Sequence, residues 1–285
     1  MIPNVASLAQ VLADNSRVHE QFIYKTTHAD GSSGDGVDMS MAAGTPKYNA
    51  YVGDQGRFTP MSGAGNFGIY TGASETGRSK YLARLALQTM SANNVGTFIL
   101  ADYLGFYALV DLDDTAEQVL ENDQVPTRYA DGAGVRMMFV TTTPSTGTAN
   151  ITVSYTNQNG VAGRIATSSL GTGLAAGSIV TAPVGTFTAN MRGPWLGLAD
   201  GDTGVRSVQS VTLNQSMGGF GALVLVKPIE QINLIESPTV AEITPLVHRG
   251  RIPKIADDAY LNFIFRASGS ITPAVLAGSL TIVRM

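Results

Sequence analysis

The sequence predicts an all-β fold, a sandwich or jelly-roll-like body with a short N-terminal helix and an extended N-terminal arm, and three observations predict it. Apolar and polar residues alternate with a period of two over several short stretches, the period of a half-buried strand. Gly-rich turn signals separate those stretches at short intervals. The amphipathic helices that would link parallel strands are missing, which argues against an α/β fold.

The elements follow in chain order. Pro3 precedes Val5, Leu8, Val11 and Leu12 at helical spacing, so a short amphipathic helix is expected over residues 3–14, the only clear one in the chain. Its stripe could dock on the protein's own core or on a neighbouring subunit. After a strand over 21–26, residues 28–65 are rich in Gly, Ser, Asp, Met and Pro without periodicity and read as an arm. Tyr81, Ala83, Leu85 and Leu87 then alternate with Arg84 and Gln88 as a strand. The apolar runs of TFILADYLGFYALVDL, interrupted at Asp102 and Gly105, read as two strands joined by a short turn.

Residues 135–141 form another apolar run. ITVSYT and VAGRIAT flank Asn157-Gln158-Asn159-Gly160, where the Asn-Gly pair tolerates positive φ and favours a hairpin. Strands are expected at 178–182, 186–191, 205–213 and 220–227. Pro238, Pro245 and Pro253 suggest extended crossing segments over 228–258, and strands at 261–267 and 279–284 close the chain. No internal repeat is visible, which disfavours propellers and solenoids. The predicted division is 1–65 for helix and arm and 66–285 for a β-rich body of one or two subdomains.

Composition narrows function. Charged residues are 14% of the chain and Gly numbers 32, against about 25% charge in an average globular protein. Either small residues simply fill turns and strands, or a charge-poor surface is covered by neighbouring subunits. The 22 acidic and 18 basic residues are spread without a basic run, so direct nucleic-acid binding is not expected. With no Cys, disulfides and thiolate chemistry are excluded. The N-terminus lacks the pattern of a secretory signal and no long apolar stretch suggests a membrane span.

Motifs for chemistry are sparse. Gly63-Ala64-Gly65-Asn66-Phe67-Gly68 matches the letters of a dinucleotide loop, but the following Ile-Tyr-Thr-Gly reads as strand and turn where a helix is required. Asp111, Asp113 and Asp114 have the start of a calcium-loop spacing, yet Ala116 stands where Gly is needed and Asn122 where Glu is needed. Asp200 to Thr203 read first as a turn. His19, His28 and His248 fit no metal spacing, and neither a nucleophile elbow nor a phosphate loop is present. No catalytic, cofactor or metal residue is therefore assigned, and the chain is read as non-enzymatic. Trp195, the only Trp, sits between Gly193 and Gly197 and reads as a core or interface anchor more than a glycan platform.

LADYLGFYALVDLDD at 100–114, VPTRYADGAGVRMMFV at 125–140, NITVSYTNQNGVAGR at 150–164 and GGFGALVLVKPI at 218–229 together resemble virion structural proteins encoded near the head genes of tailed bacteriophages. The similarity spans about residues 50–234 and includes no catalytic signature. It implies a capsid decoration or cement protein on the capsid surface, made in the host cytoplasm, with the major capsid protein or copies of itself as partners in a homo-oligomer. No residue role is carried over from it. The expected assembly contacts are Leu8 and Leu12 on the helix, Phe58 and Phe67 around the arm, and Trp195. The alternatives are a tail, fibre or spike component that binds a host surface glycan, and a hydrolase with two acids facing across a groove.

Overall fold

A computed structural model of the chain describes residues 5–26, 31–63, 67–90, 94–173, 175–185, 192–273 and 275–285. In chain order the strands are β1 (Val18–Thr26), β2 (Gly36–Asp38), β3 (Gly44–Thr45), β4 (Phe58–Pro60), β5 (Lys80–Thr89), β6 (Gly96–Asp111), β7 (Gln118–Val119), β8 (Arg136–Thr141), β9 (Ala149–Asn157), β10 (Arg164–Leu170), β11 (Ser178–Ile179), β12 (Thr181–Ala182), β13 (Val205–Leu213), β14 (Phe220–Leu234), β15 (Ala241–Ile243), β16 (Lys254–Ile255), β17 (Leu261–Ala267) and β18 (Val275–Arg284). Among the described residues two α-helices accompany them, α1 (Val5–Leu12) and α2 (Pro245–Arg249). The fold is all-β with a short N-terminal helix, as the alternation predicts.

Three antiparallel sheets form. The first runs β15-β5-β18-β1-β3 with β16 also on β5, the central one β11-β2-β17-β6-β14-β8 with β4 also on β6, and the third β12-β10-β9-β13-β7. β6 and β14 are apolar almost throughout because both faces of the central sheet are covered. Phe98, Leu100, Phe263 and Phe265 pack with Leu82, Leu85, Leu280 and Ile282 of the first sheet. Farther along the same strands, Leu104, Tyr107, Leu223 and Leu225 pack with Ile151, Val153, Val208 and Val211 of the third. The alternate residues Ile99, Ala101, Tyr103 and Phe106 form a third core with Met41, Tyr51, Met61 and Tyr260. One sheet thus serves two sandwich halves and carries a further layer on its reverse.

The segment expected to be an arm is built into this body. β2 pairs with β17, β3 with β1 and β4 with β6, while β1, which includes the strand expected over 21–26, pairs along its whole length with β18. Buried Val37, Met39, Met41 and Phe58 supply the core contacts that an irregular composition hides, so residue 65 does not separate arm from body.

Three further expectations change. TFILADYLGFYALVDL, but for its last residue, lies in one strand, the 16-residue β6. Its ladder with β14 carries three irregularities, one of them beside Gly105; where a turn is expected, Gly105 marks a bulge and a close approach, and Asp102 is a regularly paired position that holds a buried charge. A Cβ on Gly105 would stand 2.2 Å from Phe58 Cζ. The second is β14, which runs on through Pro228 to Leu234, with a bulge at the proline that cannot donate to the ladder. The third is α2, whose signals were Pro245 at its start and Gly250 in the left-handed conformation (φ 67°) at its end.

The 178–182 strand is two, because Val180 carries the chain from the central sheet, where β11 pairs with β2, to the third, where β12 pairs with β10. The expected strand at 186–191 lies outside the described residues. β9 and β10 form the predicted hairpin. Of the Asn-Gly pair only Gly160 takes positive φ, 78°, while the Asn157 side chain accepts from the amides of Asn159 and Val161.

Deleting residues 1–65 would remove four paired strands, β1 to β4, so that truncation should abolish cooperative urea unfolding. Phe58→Ala should cost about 3–5 kcal/mol, whereas exposed Leu12→Ala should change stability by less than about 0.5 kcal/mol; denaturant midpoints measure both.

Candidate functional site

The five residues expected to make assembly contacts do not converge on one surface. Leu8 is buried with Val11, Ala83 and Val283, so the helix stripe docks on the protein's own first sheet. Phe58 is only 1% exposed and its ring lies 5.2 Å from that of Tyr107. It is a core residue, because a short strand on β6 turns its side chain inward. Trp195 is half-buried against the third core. Leu12 and Phe67 alone remain exposed.

The polar side chains taken into the interior form closed clusters. Arg128 donates Nε and Nη2 to the two Asp102 carboxylate oxygens, each at 2.9 Å, and reaches the Met61 and Tyr103 carbonyls and Asp258 as well. Burial drives the Asp102 carboxyl up and the guanidinium opposes it. Asp38, fully buried, accepts from Tyr51, from Tyr103 at 2.7 Å and from the amide and hydroxyl of Ser40. Burial nevertheless raises its pKa. Tyr51 takes a left-handed backbone, φ 50°, to bring its hydroxyl there. Asp202 accepts from Tyr155, Asn157 and Arg164, pinning the turn at 199–204 to the third sheet.

In each cluster the lone pairs of the acid are occupied by chain donors, an arrangement for cohesion. Asp111 and Asp114 each cap a nearby amide, at 2.9 Å to Asp113 and 2.8 Å to Ala116. Asp113 accepts from Ser216 and Gly218. Among the described residues no group of three His, Asp or Glu could hold a metal ion. The dinucleotide-like letters at 64–66, and His28, lie outside the described residues.

A different surface emerges from β1. Its inward row includes buried Ile23 and Lys25, and its outward row is Glu20, Phe22 and Tyr24. Phe22 is 71% exposed and Tyr24 is 52% exposed. Opposite them on β18 stand Ser279 and Ala277, which face Ala86 and Gln88 of β5. The Phe22 ring beside Ala86, Ala277 and Ser279 borders an apolar trough of about 280 Å³, with Val240 also in its lining, and Tyr24 is the next residue along the same outward row. Toward one end Arg84 pairs with Glu242 at 2.8 Å and with Glu20 at 3.8 Å. The helices, through Leu8, Val11 and Leu246, cover the other part of this face over Tyr81, Ala83 and Val283. The face is thus half covered and half bare.

The sequence signal for this surface was the QFIYK pattern, in which aromatic residues occupy the row opposite Ile23 and Lys25. It was hidden because a buried lysine inverts the usual assignment of faces. Comparison with protein-family models, curated proteins and solved structures finds no match.

Arg128→Ala leaves Asp102 charged and buried and should cost about 3–5 kcal/mol, read from chemical denaturation. Lys25 donates to the Ala42 carbonyl at 3.0 Å, and burial lowers its pKa to about 8. The unfolded chain keeps this proton to a higher pH, near 10.4, so between pH 8 and about 9.5 the unfolded state binds more protons and stability rises with pH. Denaturation midpoints across that window should rise in the wild type and rise less in Lys25→Met.

Proposed function

We propose that this chain is a structural component of a tailed-bacteriophage virion, attached to the capsid as a decoration or cement protein and acting through buried apolar contact. The observation that carries this reading is the bare half of the first sheet's outer face, where Phe22 and Tyr24 stand over Ala86, Ala277 and Ser279. Exposed aromatic rings beside small side chains favour a packed protein interface, since aromatic anchors dominate such contacts. The partner in this reading is the major capsid protein or a second copy of the chain. The low charge content, 14%, supports it, because few charges then need desolvation on association.

A second reading, a tail, fibre or spike component binding a host glycan, is favoured by one detail. Glu20 shares the outward row of β1 with Phe22 and Tyr24, and a ring beside a carboxylate is a way to stack and hydrogen-bond a sugar.

Phe22→Asp with Tyr24→Asp should leave a cooperatively folding protein, since both side chains are solvent-exposed, but should abolish its recovery in purified heads. Incorporation of the double variant at the wild-type level would refute the face assignment. Recovery of the wild type only in purified tails would refute the capsid reading and leave the glycan reading standing.

A further inference from the structure

β14 bulges at Pro228, and a second, polar pocket lies beside the bulge. Glu230 lies two residues past the proline and its side chain is only 2% exposed, so its charge needs partners. Arg251 supplies Nη2 at 3.2 Å to Oε2, and the amide of Gln231 donates to Oε1 at 3.1 Å. The same Arg251 nitrogen also reaches the Ile229 carbonyl at 3.2 Å.

Arg249, at the end of α2, lies 3.7 Å from Oε1, too far for a hydrogen bond. Its guanidinium is attracted to the carboxylate without being used up by it. No described residue takes Nη1 or Nη2 of Arg249 or Nη1 of Arg251. The two side chains are 44% and 56% exposed and line a pocket of about 240 Å³ with Ile99, Pro228 and Gln231.

Two guanidinium groups against one carboxylate leave an excess of one positive charge. Among the described residues Glu230 is the one acid in the pocket lining. Glu242, the acid before Arg249 in sequence, is held by Arg84. A concave wall with a single sign of excess charge concentrates the opposite ion. The planar fork of arginine suits carboxylate and phosphate oxygens.

We propose that this pocket is an anion site, in which Arg249 and Arg251 together bind a carboxylate or phosphate group and Glu230 holds the two guanidinium groups in position. The affinity is modest by construction, because Glu230 repels the ligand that the arginines attract, and it is greatest at low salt.

Titration calorimetry at low ionic strength with inorganic phosphate, and separately with glucuronate, tests the site. Saturable binding of either probe is expected, weakened about tenfold or more, or 1.4 kcal/mol, in Arg249→Gln and Arg251→Gln. Glu230→Gln should bind more tightly than the wild type. Binding of phosphate alone or glucuronate alone identifies which oxyanion the pocket takes. Arg249→Gln keeps the closer Glu230–Arg251 pair, so it carries the test should Arg251→Gln lose its fold. Absence of saturable binding by the wild type, or undiminished binding by Arg249→Gln, overturns the proposal.

Discussion

The bidentate pair between Asp102 and Arg128 is the constraint on which the architecture turns. Asp102 lies on β6 between Leu100, which belongs to the core under the first sheet, and Leu104, which belongs to the core under the third. A carboxylate at that junction cannot be left unpaired, since a buried lone charge costs far more than most core contacts contribute. Satisfying it draws in Arg128 from the loop before β8, the Met61 carbonyl after β4 and the Tyr260 amide before β17. Four stretches distant in sequence are thereby fixed where the two sandwich halves meet. The pair's net contribution to stability can be small, but its geometry admits one arrangement of those segments.

The sequence made the β class, the hairpin around Asn157 and several strands legible because alternation and turn chemistry are local signals. It did not reveal the integration of residues 36–60, whose strands are short and whose core residues, Val37, Met39 and Phe58, are spaced by a tertiary context with no fixed period. β6 and β14 look broken in sequence for a related reason. Gly105 and Pro228 are breakers in local terms, whereas here they serve a close approach of Phe58 and a bulge. The surface residues were hardest to read. Phe58 and Leu8 look like contact residues by chemistry and are core by topology, while Phe22 and Tyr24 look like core and face out because Lys25 takes the inner row.

That inversion has an energetic logic. The inner row of β1 ends in a lysine with Asp38 as its electrostatic counterweight and Ala42 as its acceptor, which locks the pairing of β1 with β18. A one-residue slip would bury Glu20, Phe22 and Tyr24 and expel Ile23 and Lys25. Register is therefore held by a polar interaction inside the core, and the outward row is free to vary with the demands of contact.

The sheet edges decide which mode of contact remains. β3, β7, β11 and β12 have two residues each and β15 has three. The open edge of β8 is occupied by the Leu196 amide on the Met137 carbonyl and the Gly177 amide on the Thr141 carbonyl. Beside β1, whose ladder with β3 covers only Tyr24 and Lys25, His19 meets the ring of Tyr70 edge to face. Short or occupied edges discourage growth by strand addition. Contact through a face needs no such ladder, and the face beside Phe22 and Tyr24 offers apolar area without a backbone template, which favours a defined partner over open-ended association.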